Sequence, residues 1–156
     1  MEIDFIMIDN NNNNTTELDD IINNINSEKE LHDYIENKLS PIPTLTFSKY
    51  LDSLRISKKI KKSTLIADSD ISRTYCYQIL NGVKNPSRDN VIKLCLACKL
   101  SIDETNRCLT LAKSNKLYSK DIRDSLIIYF INNNYSVIDA NIKLDQFALD
   151  ILGSAE

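Results

Sequence analysis

Apolar residues recur at helical intervals through most of the chain. Phe47, Tyr50, Leu51 and Leu54 hold the i, i+3, i+4, i+7 spacing of one buried stripe, which predicts a helix from about Thr46. Leu65 and Ile66 mark a short second helix beginning near Lys62 or Ser63, and a third runs from a Ser72 N-cap to about Leu80, with Cys76 and Ile79 facing inward. Gly82, one of only two glycines, falls where a helix wants a left-handed C-terminal residue. Asn85-Pro86-Ser87 restarts the chain into a fourth helix that turns Val91, Leu94, Cys95 and Cys98 inward. Ser101-x-x-Glu104 reads as a capping box opening a fifth helix to about Lys113.

The flanks follow weaker patterns. Between Glu17 and Leu39 a thin stripe suggests two short helices broken near Asn26-Ser27, preceded by an Asn-Thr run expected to be disordered. Ser40-Pro41-Ile42-Pro43 reads as an extended linker, because each proline pushes its predecessor out of the helical region. From Ser119 to Leu152 two further helices are expected around Asn132-Asn133-Asn134. Ile122, Leu126, Ile127, Phe130 and Ile131 form the first stripe, and Ile138, Ile142, Leu144, Phe147, Ala148, Ile151 and Leu152 the second. These residues are expected to pack on the five-helix domain, with a dimer surface as the alternative.

Composition agrees with helices: 2 glycines and 3 prolines in 156 residues leave few breakers. The net charge of −3 conceals a segregation. Residues 1–39 hold ten acids and two bases, residues 40–116 fourteen bases and six acids, and residues 117–156 three bases and six acids. The basic block coincides with the short-helix, tight-turn, short-helix layout of Lys62 to Arg88, which suits a helix-turn-helix and attracts phosphate. The expected organisation is an acidic, partly disordered N-terminal arm and linker (1–43), a helix-turn-helix domain (44–116) and a C-terminal helical extension (117–156), all-α throughout.

Other chemistry finds little support. Cys95-Leu-Ala-Cys98 resembles a metal-binding pair, but it lies in an apolar helical pattern where thiols pack as small hydrophobes. The only histidine, His32, lies in the acidic arm without a nucleophile beside it, and no Gly-rich phosphate loop exists. Neither metal nor cofactor is expected, nor an enzyme. The acidic start MEIDFIMIDNN lacks the basic opening of a secretory signal, and no apolar run reaches ~18 residues, so a cytoplasmic protein without a membrane span is expected.

Leu65, Ile71-Ser72-Arg73-Thr74, Ile79, Asn81-Gly82, Asn85-Pro86-Ser87 and Leu94 together resemble the Cro-type phage-repressor-like helix-turn-helix regulators, over about residues 45–115. The resemblance implies base contacts at the exposed start of the third helix, from Arg73 and Thr74, with Gln78 one turn on. It implies phosphate contacts from Lys62, Ser63, Tyr77, Lys84, Asn85 and Arg88. The side-chain chemistry agrees, since Arg grips guanine and Gln adenine through paired hydrogen bonds, while Lys and Ser hold phosphate. Two positions depart from the family pattern. Asp70 stands at the turn where glycine is usual, and Leu80 replaces an acid that often pairs with an arginine at the place of Arg55.

The function implied is a sequence-specific regulator of transcription that binds double-stranded DNA, as a homodimer reading half-sites about one helical turn (~34 Å) apart. The alternative is a protein-interaction adaptor or antitoxin-like partner on the same scaffold, engaging a protein through the C-terminal helices or the acidic arm. The arm is expected either to serve as a solubilising tail or to compete with DNA for the basic domain.

Overall fold

The computed structural model describes residues 15–39 and 44–153, so the Asn-rich start and the Ser40–Pro43 linker lie outside the described residues. The described residues contain helices and no strand. Two compact units divide between Leu45 and Thr46.

In the first unit residues 15–23 (α1) are helical, and Glu28–Tyr34 (α2) runs on into a π-helical turn, Ile35–Leu39. Ser27 caps α2, accepting from the Glu30 amide, and so fixes the break expected near Asn26-Ser27. The stripe is as weak in space as in sequence: Tyr34 is buried, while Ile21, Ile22, Leu31, Ile35 and Leu39 are exposed.

The second unit comprises α3 (Phe47–Ser57), α4 (Lys62–Asp68), α5 (Arg73–Leu80), α6 (Arg88–Ala97), α7 (Ile102–Leu111), α8 (Ile122–Asn132) and α9 (Val137–Gln146). Polar caps set most of the starts. Thr46, Ser87, Ser101, Asp121 and Ser136 each accept from an amide in the first turn, and Ser101 with Glu104 completes the capping box. Ser72 stands at the N-cap of α5 without a side-chain cap bond.

The stops share one device. Among the described residues, positive φ occurs at Lys59, Asp70, Gly82, Lys99, Lys113, Asn134 and Ala148, one just past each helix from α3 to α9. At every one but Asp70 the next residue's amide reaches back to the last turn, as from Ile60 to the Arg55 carbonyl and from Leu100 to that of Cys95. This is the Schellman pattern, built at five of those six ends without glycine.

Helix α6 is the axis of the unit. It touches α4, α7, α8 and α9, and every residue from Asn90 to Ala97 is buried. One inward stripe was expected there. The opposite face, with Ile92 and Leu96, is buried as well because the C-terminal extension packs over the domain. Cys95, Cys98 and Cys108 lie in this core, and burial pushes the Cys98 thiol up to about 12. Such thiols pack as apolar groups.

The stripe expected on α9 is rotated. Val137, Ala140 and Leu144 face the core, whereas Ile138 and Ile142 are exposed, together with Phe147 and Ile151 beyond the helix. On α8, Ile122 is 70% exposed and the buried line passes through Asp124, Ile127, Phe130 and Ile131.

Candidate nucleic-acid interface

Helices α4 and α5 are joined by Ser69–Ser72, and the turn is stiff. Asp70 adopts φ 55° in the position where a glycine is usual. Ser69 is fully buried; its hydroxyl donates to the Ile66 carbonyl and accepts from the Ile71 amide. Beneath the turn lies Lys93 of α6, whose side chain is completely buried. Its Nζ donates to the Asp70 carbonyl at 3.2 Å and lies 3.9 Å from the Asp70 carboxylate. Burial lowers the Lys93 pKa, and Asp70 partly offsets that. The left-handed turn thus rests on a cation supplied by the core instead of on glycine's freedom. The signal in the sequence was a lysine amid Val91-Ile92-Lys93-Leu94-Cys95, and it was missed.

Anchored at this turn, α5 buries Cys76 and Ile79 and turns its other side outward. Arg73 and Thr74 are exposed at its start, and Gln78 is half-buried one turn later. Tyr77, also half-buried, lies between two cations: the Lys62 ammonium is 5.6 Å from its ring centre and the Arg73 guanidinium 5.7 Å. Such contacts contribute about 0.5–1 kcal/mol at exposed sites and occupy no hydrogen-bond donor. The Lys62 contact ties the start of α4 to α5, as does the bond from Lys62 Nζ to Asn81 Oδ1 at 3.3 Å. Ser63 is exposed beside a shallow cleft lined by Ala67, Asp70, Arg73 and Tyr77.

The loop after α5 is held at both ends. The Gln78 carbonyl accepts from the amides of Val83 and Lys84, and Gly82 at φ 78° makes the reversal. A β-carbon on Gly82 would lie 3.3 Å from Ser48 Oγ, so space as well as φ favours glycine. Lys84 and Asn85 are exposed at the tip, with Asn85 Nδ2 3.5 Å from the Ala112 carbonyl.

Arg88 is placed differently from the other eight. Its guanidinium donates to both carboxylate oxygens of Asp124, at 2.9 and 2.7 Å, and to the carbonyls of Asn115 and Lys116. Next to it, Asp89 accepts from Arg123 at 3.1 Å through each oxygen, and Asp89 also accepts from the Gly153 amide. Two adjacent residues of α6 thus pair, with reversed sign, with two adjacent residues of α8. Burial works to raise the Asp124 carboxyl, but the bonds from Arg88 and the Tyr118 amide outweigh it and hold the group below its ordinary range. Arg88 therefore welds the C-terminal extension to the domain through four hydrogen bonds. Arg55, which lacks an acid at Leu80, pairs instead with Asp52 of its own helix and donates to the Ile60 carbonyl.

Among the described residues no group of His, Cys, Asp and Glu is arranged to hold a metal ion, and no helix is long and apolar enough to cross a membrane. Comparison with curated proteins and with solved structures found no match. Residues 51–104, which run from the second turn of α3 to the first turn of α7, match the family model described as helix-turn-helix, and this part of the chain is a helix-turn-helix domain of the Cro/C1 type found in phage repressor-like regulators.

Proposed function

We propose that this protein is a cytoplasmic, sequence-specific regulator of transcription that reads double-stranded DNA through α5. One observation carries the reading: Arg73 and Thr74 stand exposed at the start of the second motif helix, with Gln78 one turn on and Lys62, Ser63, Lys84 and Asn85 to either side. In the major groove Arg73 has the donors to hold guanine O6 and N7, Gln78 has the donor and acceptor for adenine, and the Thr74 methyl fits beside thymine. Lys62, Ser63, Tyr77, Lys84 and Asn85 hold phosphates and set register without carrying sequence information. Arg88 is left out of this set because Asp124 engages it.

Two half-sites call for two copies of α5. The exposed Ile138, Ile142, Phe147 and Ile151 supply apolar surface for a homodimer. The same surface favours a second reading, an adaptor that docks a different protein there. Stoichiometric capture of such a protein, unaffected by Arg73→Ala, would support it.

Selection of bound duplexes from a random pool, followed by titration, tests the first reading. An enriched sequence is expected. Arg73→Ala should weaken binding to it by about 1–3 kcal/mol, roughly 5- to 150-fold, and relax preference at one base pair. A pool that yields no enriched sequence, from protein that binds no duplex at low salt, rejects DNA reading.

A further inference from the structure

A second basic edge lies on the segment joining α7 to α8. Lys113, Lys116 and Lys120 are exposed there, with Tyr118 among them at 58% exposure. Among the described residues none of the three ammonium groups is in an ion pair.

The segment is fixed from its inner side. Arg88 takes the carbonyls of Asn115 and Lys116 at 3.1 and 3.2 Å. The Leu117 amide donates to Asn106 Oδ1 and the Tyr118 amide to Asp124 Oδ2, each at 2.9 Å. Ser125 Oγ donates to the Ser119 carbonyl at 2.7 Å. With its backbone turned inward, the segment presents its long side chains to solvent.

Two of the neighbouring acids are already paired, Asp124 with Arg88 and Asp89 with Arg123; Asp121, the cap of α8, keeps its charge and offsets part of the charge at Lys120. The segment also begins next to the loop after α5, because Asn85 Nδ2 reaches the Ala112 carbonyl. A strand of phosphates tracking past Lys84 and Asn85 would therefore meet it next.

We infer that Lys113, Lys116, Tyr118 and Lys120 form a second phosphate-binding edge that carries the DNA footprint from the helix-turn-helix onto the C-terminal extension. This inference rests on the DNA-reading function proposed above. Each ammonium that neutralises a phosphate releases condensed counterions, steepening the fall of log K with log salt by about 0.9. Contacts to phosphate carry no base preference, so the edge strengthens binding to every sequence alike.

The test is fluorescence anisotropy of the full chain with two labelled duplexes of about 30 base pairs, one selected and one scrambled, across a salt series. The variant combines Lys113→Gly, Lys116→Ala and Lys120→Ala; glycine is used at Lys113 because its φ of 59° is one that glycine adopts without strain. The salt slope should fall by about 2–3, and affinity near 0.15 M salt roughly 10- to 100-fold, equally for both duplexes. Arginine at all three positions should restore the slope. Wild-type binding with an unchanged slope and affinity in the variant overturns the edge and leaves the α5 reading intact. A loss confined to the selected duplex also overturns it, because that pattern belongs to base contact. Wild-type protein that binds neither duplex at any salt overturns the parent reading instead.

Discussion

Two sets of charged residues lie within one domain and behave in opposite ways. On the α4–α5 face, Arg73 is exposed, held only by a ring contact to Tyr77 that leaves its donors available. On the α6–α8 seam, Arg88 and Arg123 are each bonded to a carboxylate through two nitrogens and to two backbone carbonyls. The lesson concerns what a basic block means. A surplus of lysine and arginine attracts polyanions, but only those cations the fold leaves uncommitted can grip one. Here the division follows whether a carboxylate faces the cation across a helix–helix contact.

Several substitutions probe that division, beginning with the largest effect. Arg88→Ala leaves Asp124, only 8% exposed, without its counter-charge, so unfolding by denaturant should show a loss of about 3 kcal/mol. The double variant Arg88→Asp with Asp124→Arg should recover part of that loss, and no recovery would mean that the carbonyl bonds outweigh the pair. Because the Asp124 pKa is lowered on folding, its contribution is complete above about pH 4 and disappears as pH falls through the lower folded-state value. Asp124→Asn should accordingly flatten the acid limb of the stability curve. Arg73→Ala is the converse: its thermal melt should stay within about 0.5 kcal/mol of wild type, as surface changes do, while DNA affinity falls.

Lys93 sharpens the comparison from beneath. Its ammonium is buried with one hydrogen bond and a distant carboxylate. Lys93→Met removes the cost of burying that charge along with the support to Asp70, so stability should remain within about 1 kcal/mol of wild type. The lowered pKa of Lys93 makes wild-type stability rise as pH climbs through the folded-state value toward the unfolded value near 10.4. In the methionine variant that rise should vanish from an alkaline denaturation series. A persisting rise would assign it to another group.

Much of the fold was legible in the sequence because caps and stripes are local. The order of helices, the Ser101–Glu104 box and the inward Cys76 and Ile79 follow from spacing alone. The candidate site was legible as a list of residue types, but not which of them the fold consumes. Arg88 and Lys84 stand four residues apart with similar chemistry, and only the distant Asp124 marks Arg88 as the one that is ion-paired. The face of α9 was misplaced because Val137 and Ala140 weigh less than Ile138 and Ile142 in a count of large apolar residues, although they are the ones buried. Lys93 was passed over because one charge in an apolar run has no periodicity to reveal it.

The left-handed joints past each helix of the second unit hold an untapped reserve. A side chain at positive φ crowds its own carbonyl, by roughly 1 kcal/mol per site, and six of these seven joints carry one. Ala148→Gly should lift the melting temperature by about 4 °C without touching a single buried contact. Hardening this molecule is therefore a matter of the joints where the rods meet, and those at Lys59, Lys99, Asn134 and Ala148 lie outside the residues proposed to touch DNA.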